Sequence, residues 1–218
     1  MIKFPFDEMM SILKKFLVDE IPVVTRISKS GAGSPFIILV STLLSLRTKD
    51  ETTDQAMERL VKVATTPEGL LNLSNENLEK IIYPVGFYRN KARTLKNVSR
   101  IIIEKYHGKV PDNLDELLTI KGVGRKTANL VVTEAYGKPG ICVDTHVHRI
   151  SNRLGVVFTK NPHQTEEVLR KVLPKKYWII YNTLLVAFGR RTCQPVSPRC
   201  SQCPMAYLCQ KIGVTKHR

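Results

Sequence analysis

The stretch LLTIKGVGRKTANLVV, residues 117–132, decides the fold prediction because it joins two apolar helical segments by a short glycine turn. Gly122 and Gly124 flank one valine, so the backbone can turn sharply there and approach a ligand without obstruction by a Cβ atom. The second helix begins at this turn, and the backbone N–H groups at its positive end favour a phosphate. Lys121 and Arg125 add positive charge beside it. We expect this turn to bind phosphate, and an ordinary pair of packed helices is the alternative.

The composition of the 218-residue chain favours a nucleic acid as partner. Lys and Arg number 34 against 19 Asp and Glu, which gives a net charge of +15. The basic residues recur along the chain and indicate a folded basic surface rather than a basic tail, with a solvated lysine-rich surface as the alternative. No apolar run reaches the roughly 18 residues of a membrane span. The first residues lack a secretory signal pattern, so we expect an intracellular protein without a membrane partner.

Hydrophobic residues recur at spacings of three and four along almost the whole chain, and no alternating run indicates a strand. The fold is therefore predicted to be all-α, with about ten helices. Ser74 and Asp112 mark two helix starts, and Gly155 marks a helix end. The loop-like stretch 28–35 is predicted to separate an N-terminal helix from the first core helix.

Four of the five cysteines fall in the run CQPVSPRCSQCPMAYLC, at Cys193, Cys200, Cys203 and Cys209. Such closeness indicates one shared partner, and thiolates prefer zinc or an iron–sulfur cluster. Structural zinc usually takes two C-x2-C-type pairs, whereas only one is present here, so the spacing favours a [4Fe–4S] cluster over zinc. Disulfides are a weaker third interpretation, because the number of cysteines is odd and no signal peptide is seen. Cys142 lies outside the spacing and is predicted to be a buried, small apolar residue.

Three features together resemble endonuclease III, the iron–sulfur branch of the helix–hairpin–helix DNA glycosylases. They are LTIKGVGRKTANLVVTEAYG (118–137), the following VDTHVHRISNRLG (143–155) and the C-x6-C-x2-C-x5-C spacing. The resemblance extends from LVSTLLSLRTKD (39–50) to Cys209 and strengthens the assignment of a [4Fe–4S] cofactor.

The resemblance implies a six-helix barrel domain at 28–138 with the helix–hairpin–helix. It implies a second, iron–sulfur cluster domain built from 1–27 and 139–218, with DNA bound in the cleft between the two domains. The activity it implies is that of a bifunctional DNA glycosylase and abasic-site lyase of base excision repair. The substrates would be oxidised or ring-saturated pyrimidines in duplex DNA, together with abasic sites. We expect a monomer.

The family's catalytic lysine, in the pattern GVGRKTA, falls on Lys126, and its catalytic aspartate, in the pattern VDTH, falls on Asp144. A lysine amine that attacks C1′ gives a Schiff base, after which the 3′ phosphate leaves by β-elimination. A carboxylate stabilises the positive charge that develops as the glycosidic bond breaks. The alternative for Lys126 is a phosphate-binding cation, and the alternative for Asp144 is a helix cap. His146 and His148 are predicted to be structural or close to backbone phosphates.

The predicted DNA-binding residues lie at the hairpin, after the aspartate and in the cysteine loop; they are Lys121, Gly122, Gly124, Arg125, Arg149 and Arg199. Two further residues take the places of the family's wedge, which fills the gap left by an extruded base. Arg47 stands where the family pattern has a glutamine, and Phe87 stands where a leucine commonly precedes a tyrosine. An arginine can stack and can donate to the orphaned base. These departures leave the lesion range and the opposite-base preference open.

Two other functions stay open at this point. A mismatch glycosylase on the same scaffold typically lacks the lysine, and its adenine-specific branch carries an additional C-terminal domain, so Lys126 and the end of the chain at Arg218 argue against both. A DNA-binding module whose cluster senses redox state would bind duplex DNA without cutting it. An abasic-site duplex separates these classes, because only a lyase nicks it.

Overall fold

A computed structural model describes residues 4–17 and 33–218. Within these residues the regular structure is entirely helical, with eleven α-helices, three short 3₁₀ helices and no β-strand. The all-α prediction is thereby confirmed. Most of the predicted loop at 28–35 lies outside the described residues.

The described residues contain the following helices. In order they are α1 (Phe6–Phe16), α2 (Pro35–Ser45), α3 (Asp50–Val61), α4 (Pro67–Asn72), α5 (Asn75–Ile82), α6 (Tyr88–Tyr106), α7 (Leu114–Thr119), α8 (Arg125–Tyr136), α9 (Thr145–Leu154), α10 (Pro162–Val172) and α11 (Trp178–Arg191). The 3₁₀ helices are Lys175–Tyr177, Cys200–Gln202 and Ala206–Leu208.

The chain divides into two compact units, which we name after the motifs they contain. The hairpin unit is Val23–Lys138, and the cysteine unit combines Met1–Pro22 with Pro139–Arg218. The predicted barrel domain also ends at residue 138, whereas its predicted start at 28 lies outside the described residues. The assignment of a barrel domain and a cluster domain stays a prediction.

The hairpin unit is built around α2, in which every residue from Phe36 to Leu44 is buried. The helix begins at Ser34, whose Oγ accepts a hydrogen bond from the Ile37 N–H at 3.3 Å, and Pro35 occupies its first turn. It packs against α3, α6 and α8. A helix that is apolar on all sides must be surrounded by protein, and this one fixes where the turn that follows Ser45 lies.

The cysteine unit has its core between α1, α9 and α11. Met9, Met10 and Leu13 form the buried face of α1, which packs against α11. A Cβ atom at Gly189 of α11 would lie 2.6 Å from His146 Cδ2, so glycine allows α9 and α11 to approach closely. No helix in the described part of the chain is both long enough and apolar enough to cross a bilayer.

Two local features differ from the sequence prediction. Helix α4 was not predicted; its start is marked by Thr66, whose Oγ1 accepts from the Gly69 N–H at 3.1 Å, and by Pro67 in its first turn. Helix α7 begins after Asn113 rather than after Asp112, since the Asn113 Oδ1 accepts from the Glu116 N–H at 2.9 Å.

Candidate functional site

The glycine turn at 120–124 joins α7 to α8 and is fixed from below by buried apolar side chains. Ile120 and Val123 are 1% and 5% exposed, and the Val123 N–H donates to the Ile120 carbonyl at 2.9 Å. From α6, the Asn97 Nδ2 donates to the Lys121 carbonyl at 3.1 Å. The turn is therefore held on its protein side while Lys121, Gly122 and Gly124 are exposed.

The fold requires glycine at only one of the two glycine positions of the turn. Gly122 has φ +104°, and a Cβ there would lie 2.7 Å from Thr94 Cγ2, so the fold itself requires glycine. Gly124 has φ −86°, and no atom lies within 4 Å of where its Cβ would be. The fold does not explain glycine at this second position. Open space at Gly124 instead leaves room for a ligand to approach the backbone.

Helix α8 begins directly after Gly124, which offers no side-chain oxygen to cap the first turn. Arg125 and Lys126 are its first two residues and are both half-buried, beside the exposed Lys121. An uncapped helix N-terminus with neighbouring cations favours an anion such as phosphate. The structure thus brings the predicted phosphate-binding residues of the hairpin together, and their role in DNA binding stays a prediction.

In the cysteine unit, Asp144 is the N-cap of α9. Its Oδ1 accepts from the backbone N–H groups of His146 and Val147, at 2.8 and 2.9 Å. Its Oδ2 lies 3.2 Å from His146 Nδ1, and the carboxylate is 10% exposed. Asp144 is therefore a helix cap, as the alternative interpretation proposed. Because the cap uses Oδ1, a catalytic role of the carboxylate would depend on Oδ2.

Two other polar residues of α9 have internal partners. His148 Nδ1 lies 2.7 Å from Thr165 Oγ1, and burial lowers the pKa of His148. Arg149 donates from Nε and Nη2 to the Cys193 carbonyl, at 3.2 and 2.9 Å, and burial lowers its pKa. Arg149 thus connects α9 to the start of the cysteine loop, a contact that the sequence did not indicate. Its predicted phosphate contact stays a prediction, as does that of the exposed Arg199.

The four predicted cluster cysteines line one small pocket, formed by α9, the end of α11 and the loop after it. None of the five cysteines forms a disulfide bond, and Cys142 is buried, as predicted. Burial above all, together with the charges of the three other pocket cysteines, raises the pKa of Cys203 to about 11. Four mutually repelling thiolates in an apolar pocket require a cation to be stable.

Arg153 of α9 supplies one buried positive charge next to these thiols. Its Nη1 donates to Cys193 Sγ at 3.4 Å and to the Gln194 carbonyl at 2.7 Å, and its Nη2 donates to the Pro195 carbonyl at 2.7 Å. The Lys211 N–H donates to Cys209 Sγ at 3.4 Å. Hydrogen bonds to sulfur of this kind stabilise thiolate ligands of an iron–sulfur cluster. The donor set fits such a group, although no set of three His, Cys, Asp or Glu side chains among the described residues forms a site for a single metal ion.

The two predicted wedge residues lie side by side in the hairpin unit. Arg47 follows the end of α2, and Phe87 immediately precedes α6. The Arg47 guanidinium carbon is 5.9 Å from the centre of the Phe87 ring. Arg47 is exposed, and Phe87 is 61% exposed although it is a large apolar residue. Both have a left-handed backbone, with φ of 53° and 59°.

The helical hairpin, the fold and these residue patterns define a class of DNA repair protein, and comparison with known proteins agrees. The family model described as "HhH-GPD superfamily base excision DNA repair protein" matches residues 40–175, and the chain belongs to this family. The resemblance to endonuclease III in particular is confirmed. Endonuclease III of Thermotoga maritima is 49% identical over 176 residues, which cover 81% of this chain and 83% of the relative.

Two solved structures are similar over nearly the whole chain. A non-covalent endonuclease III–DNA complex has a TM-score of 0.84 and 36% identity, with 94% of both chains covered. A trapped endonuclease III–DNA covalent intermediate, an estranged-adenine complex, has a TM-score of 0.80 and 36% identity, with 91% of both chains covered. The fold of this chain is therefore the endonuclease III fold.

Proposed function

We propose that this protein is a bifunctional DNA glycosylase and abasic-site lyase, which removes oxidised pyrimidines from duplex DNA and then nicks the strand. The observation that carries the proposal is the hairpin, where Lys126 lies in the uncapped first turn of α8 next to an open glycine. The similarity to a trapped covalent intermediate of endonuclease III with DNA supports it, because a covalent bond needs a nucleophile such as a lysine amine.

In this proposal the hairpin binds a DNA phosphate. A phosphate oxygen accepts from backbone N–H groups at the start of α8, and the missing side-chain cap and the missing Cβ of Gly124 both favour this approach. The exposed Lys121 and the half-buried Arg125 add positive charge beside this phosphate. Such contacts position the duplex and are independent of its sequence.

Lys126 is the nucleophile in this proposal. Its neutral amine forms a bond to C1′ while the C1′–N bond to the damaged base breaks, and the base leaves with the bonding electrons and takes up a proton. Opening of the sugar ring then gives an iminium ion. The iminium acidifies the C2′ proton, and when that proton is removed the C3′–O bond breaks and the 3′ phosphate leaves. Water finally releases the lysine.

Asp144 stabilises the positive charge that develops on the sugar as the base departs. The two backbone N–H groups that bind Oδ1 hold the carboxylate in one orientation, and Oδ2 lies beside the His146 ring. A carboxylate oriented in advance contributes more than a mobile one, because the protein does not reorganise as the charge forms.

The cofactor in this proposal is a [4Fe–4S] cluster, held by Cys193, Cys200, Cys203 and Cys209. When bound, it would supply a structural cross-link through iron–thiolate bonds. Arg153 and the Lys211 N–H would donate to the ligand sulfurs, and Arg149 would keep the Cys193 carbonyl against α9. The chain's own residues thus fix the loop from residue 193 to residue 209.

Borohydride trapping tests the proposed chemistry, since it reduces a Schiff base to a stable covalent adduct. Wild-type protein should be trapped on duplexes that carry an oxidised pyrimidine or an abasic site, and Lys126→Ala should give no adduct and no nick. Lys121→Ala is the matched control, because it removes a cation from the same hairpin; it should bind more weakly but still be trapped at saturating protein. Trapping by Lys126→Ala, or an adduct on another lysine, would overturn the proposal.

A further inference from the structure

The turns that carry Arg47 and Phe87 are joined by a hydrogen bond and by a close backbone approach. The Gly86 N–H donates to Thr48 Oγ1 at 3.2 Å. A Cβ at Gly86 would lie only 2.7 Å from the Arg47 carbonyl oxygen, so the two backbones are in direct contact. Residues 46–48 and 86–87 therefore form one continuous surface element, which we call the paired turns.

Lys91 lies beneath the paired turns, one turn into α6. Its Nζ donates to the Leu44 carbonyl at 2.7 Å, to the Leu46 carbonyl at 2.5 Å and to Thr48 Oγ1 at 3.0 Å. An ammonium group has three protons, and each has an oxygen acceptor here. Leu46 and Thr48 are the two neighbours of Arg47 in the chain. The Thr48 hydroxyl is also the group that accepts from the Gly86 N–H.

These contacts explain how two strained residues stay in place. Arg47 and Phe87 both have positive φ, a conformation that is unfavourable for residues other than glycine and persists only where the surroundings determine it. The last carbonyl groups of an α-helix have no partners within the helix. At the end of α2, Lys91 donates to the carbonyls of Leu44 and Leu46. Without Lys91 the Arg47 turn would lose three hydrogen bonds on its protein side.

We infer that Lys91 is a positioning residue for base extrusion, which holds Arg47 and Phe87 as a preformed wedge through the carbonyls of Leu44 and Leu46 and the hydroxyl of Thr48. The inference rests on the proposed function, since a wedge is needed only when a base leaves the stack. Lys91 itself does not touch DNA in this inference. Its effect is on the preference for damaged over undamaged duplex, because only the damaged duplex is held open by the wedge.

Lys96 provides a matched control on the same helix. Its Nζ also donates to two backbone carbonyls, those of Leu71 at 2.8 Å and of Leu73, at the end of α4. Lys96 is half-buried, as Lys91 is. Lys96 makes the same type of contact as Lys91 but does not contact the paired turns. A Lys96 variant therefore shows how much of an effect comes from lost stability alone.

The test uses the full-length protein and a duplex with a stable abasic analogue, which cannot react, so the result does not depend on catalysis. 2-Aminopurine opposite the analogue reports on disruption of the stack by its fluorescence. Lys91→Met should reduce the preference for the analogue duplex over the undamaged duplex, measured as the ratio of the two affinities, by roughly three- to tenfold. This is the factor expected for the loss of about one net hydrogen bond. The variant should also reduce the fluorescence change. Lys91→Arg should restore much of both signals, and Lys96→Met should leave both unchanged at a similar loss of thermal stability.

The inference is wrong if folded Lys91→Met keeps the wild-type ratio and fluorescence, or if Lys96→Met reduces both as much as Lys91→Met does. It is also wrong if Arg47→Ala binds both duplexes as wild type does, since no wedge would then exist to position. If Lys91→Met does not fold, Thr48→Val decides, because it removes only the shared hydroxyl; an unchanged ratio in that variant overturns the inference. Borohydride trapping of wild-type protein, scored separately, tells whether the proposed function itself has failed.

Discussion

Asp144→Asn should separate the capping role of this residue from its proposed catalytic role. The amide oxygen of asparagine can accept the same two hydrogen bonds, from the His146 and Val147 N–H groups, and asparagine is as good an N-cap as aspartate. The variant loses the negative charge at the start of α9, which costs about 0.3–1 kcal/mol of stability through the helix dipole. For a chain of this size that corresponds to a fall in Tm of roughly 1–4 °C.

Catalysis should respond much more strongly than stability. Loss of charge stabilisation in the transition state should lower the rate of base release by roughly 100-fold or more, which corresponds to about 2.7 kcal/mol or more in the barrier. Lesion binding should remain, because the neutral amide removes no contact to the ground state. The assay is single-turnover base release from a lesion duplex, run beside thermal unfolding of the same preparation.

The control is Asn161→Ala, which removes another N-cap in the same unit. The Asn161 Oδ1 accepts from the Gln164 N–H at 3.0 Å, so the substitution should cost about 1 kcal/mol of stability. Base release should stay near the wild-type rate. The catalytic assignment is refuted if Asp144→Asn turns over normally. It is also refuted if the two variants lose activity in proportion to their losses of stability.

Three further outcomes are expected. Gly122→Ala should lose about 1–3 kcal/mol of stability in denaturant unfolding, because of its positive φ and the contact with Thr94. Gly124→Ala should keep its stability within about 0.5 kcal/mol but bind duplex DNA more weakly. Normal DNA binding by Gly124→Ala would contradict the phosphate site. Cys203→Ser should lose visible iron–sulfur absorbance, and colourless wild-type protein with one zinc per chain would show that the metal was assigned wrongly. Burial lowers the pKa of Lys91 from 10.5 to about 8, so between these pH values the unfolded chain binds a proton that the folded chain has released. The free energy of unfolding should therefore rise with pH over this window in wild type relative to Lys91→Met, and a constant difference would contradict the shift.

The parts of the molecule that were predictable from the sequence are those determined by neighbouring residues. The glycine hairpin and the cap at Asp144 each depend on a few consecutive positions, and α2 follows from one continuous apolar run. Contacts between distant segments had no such signal. The oxygens that accept from Lys91 lie 43 to 47 positions earlier in the chain, and the Cys193 carbonyl that accepts from Arg149 lies 44 positions later. The sequence shows that a basic residue in a helix is charged, but it does not show which groups that residue contacts.

The basic side chains that donate to backbone carbonyls also change what the net charge of the chain means. At least four of the 34 Lys and Arg residues do so, namely Arg59, Lys91, Lys96 and Arg153. Such a side chain adds to the field around the protein, but its donors are engaged and it releases no counterion from a phosphate. The dependence of duplex affinity on salt concentration should therefore report fewer cations than the formal charge suggests. Weakened binding by a variant at one of these four positions would reflect a displaced backbone rather than a lost ionic contact.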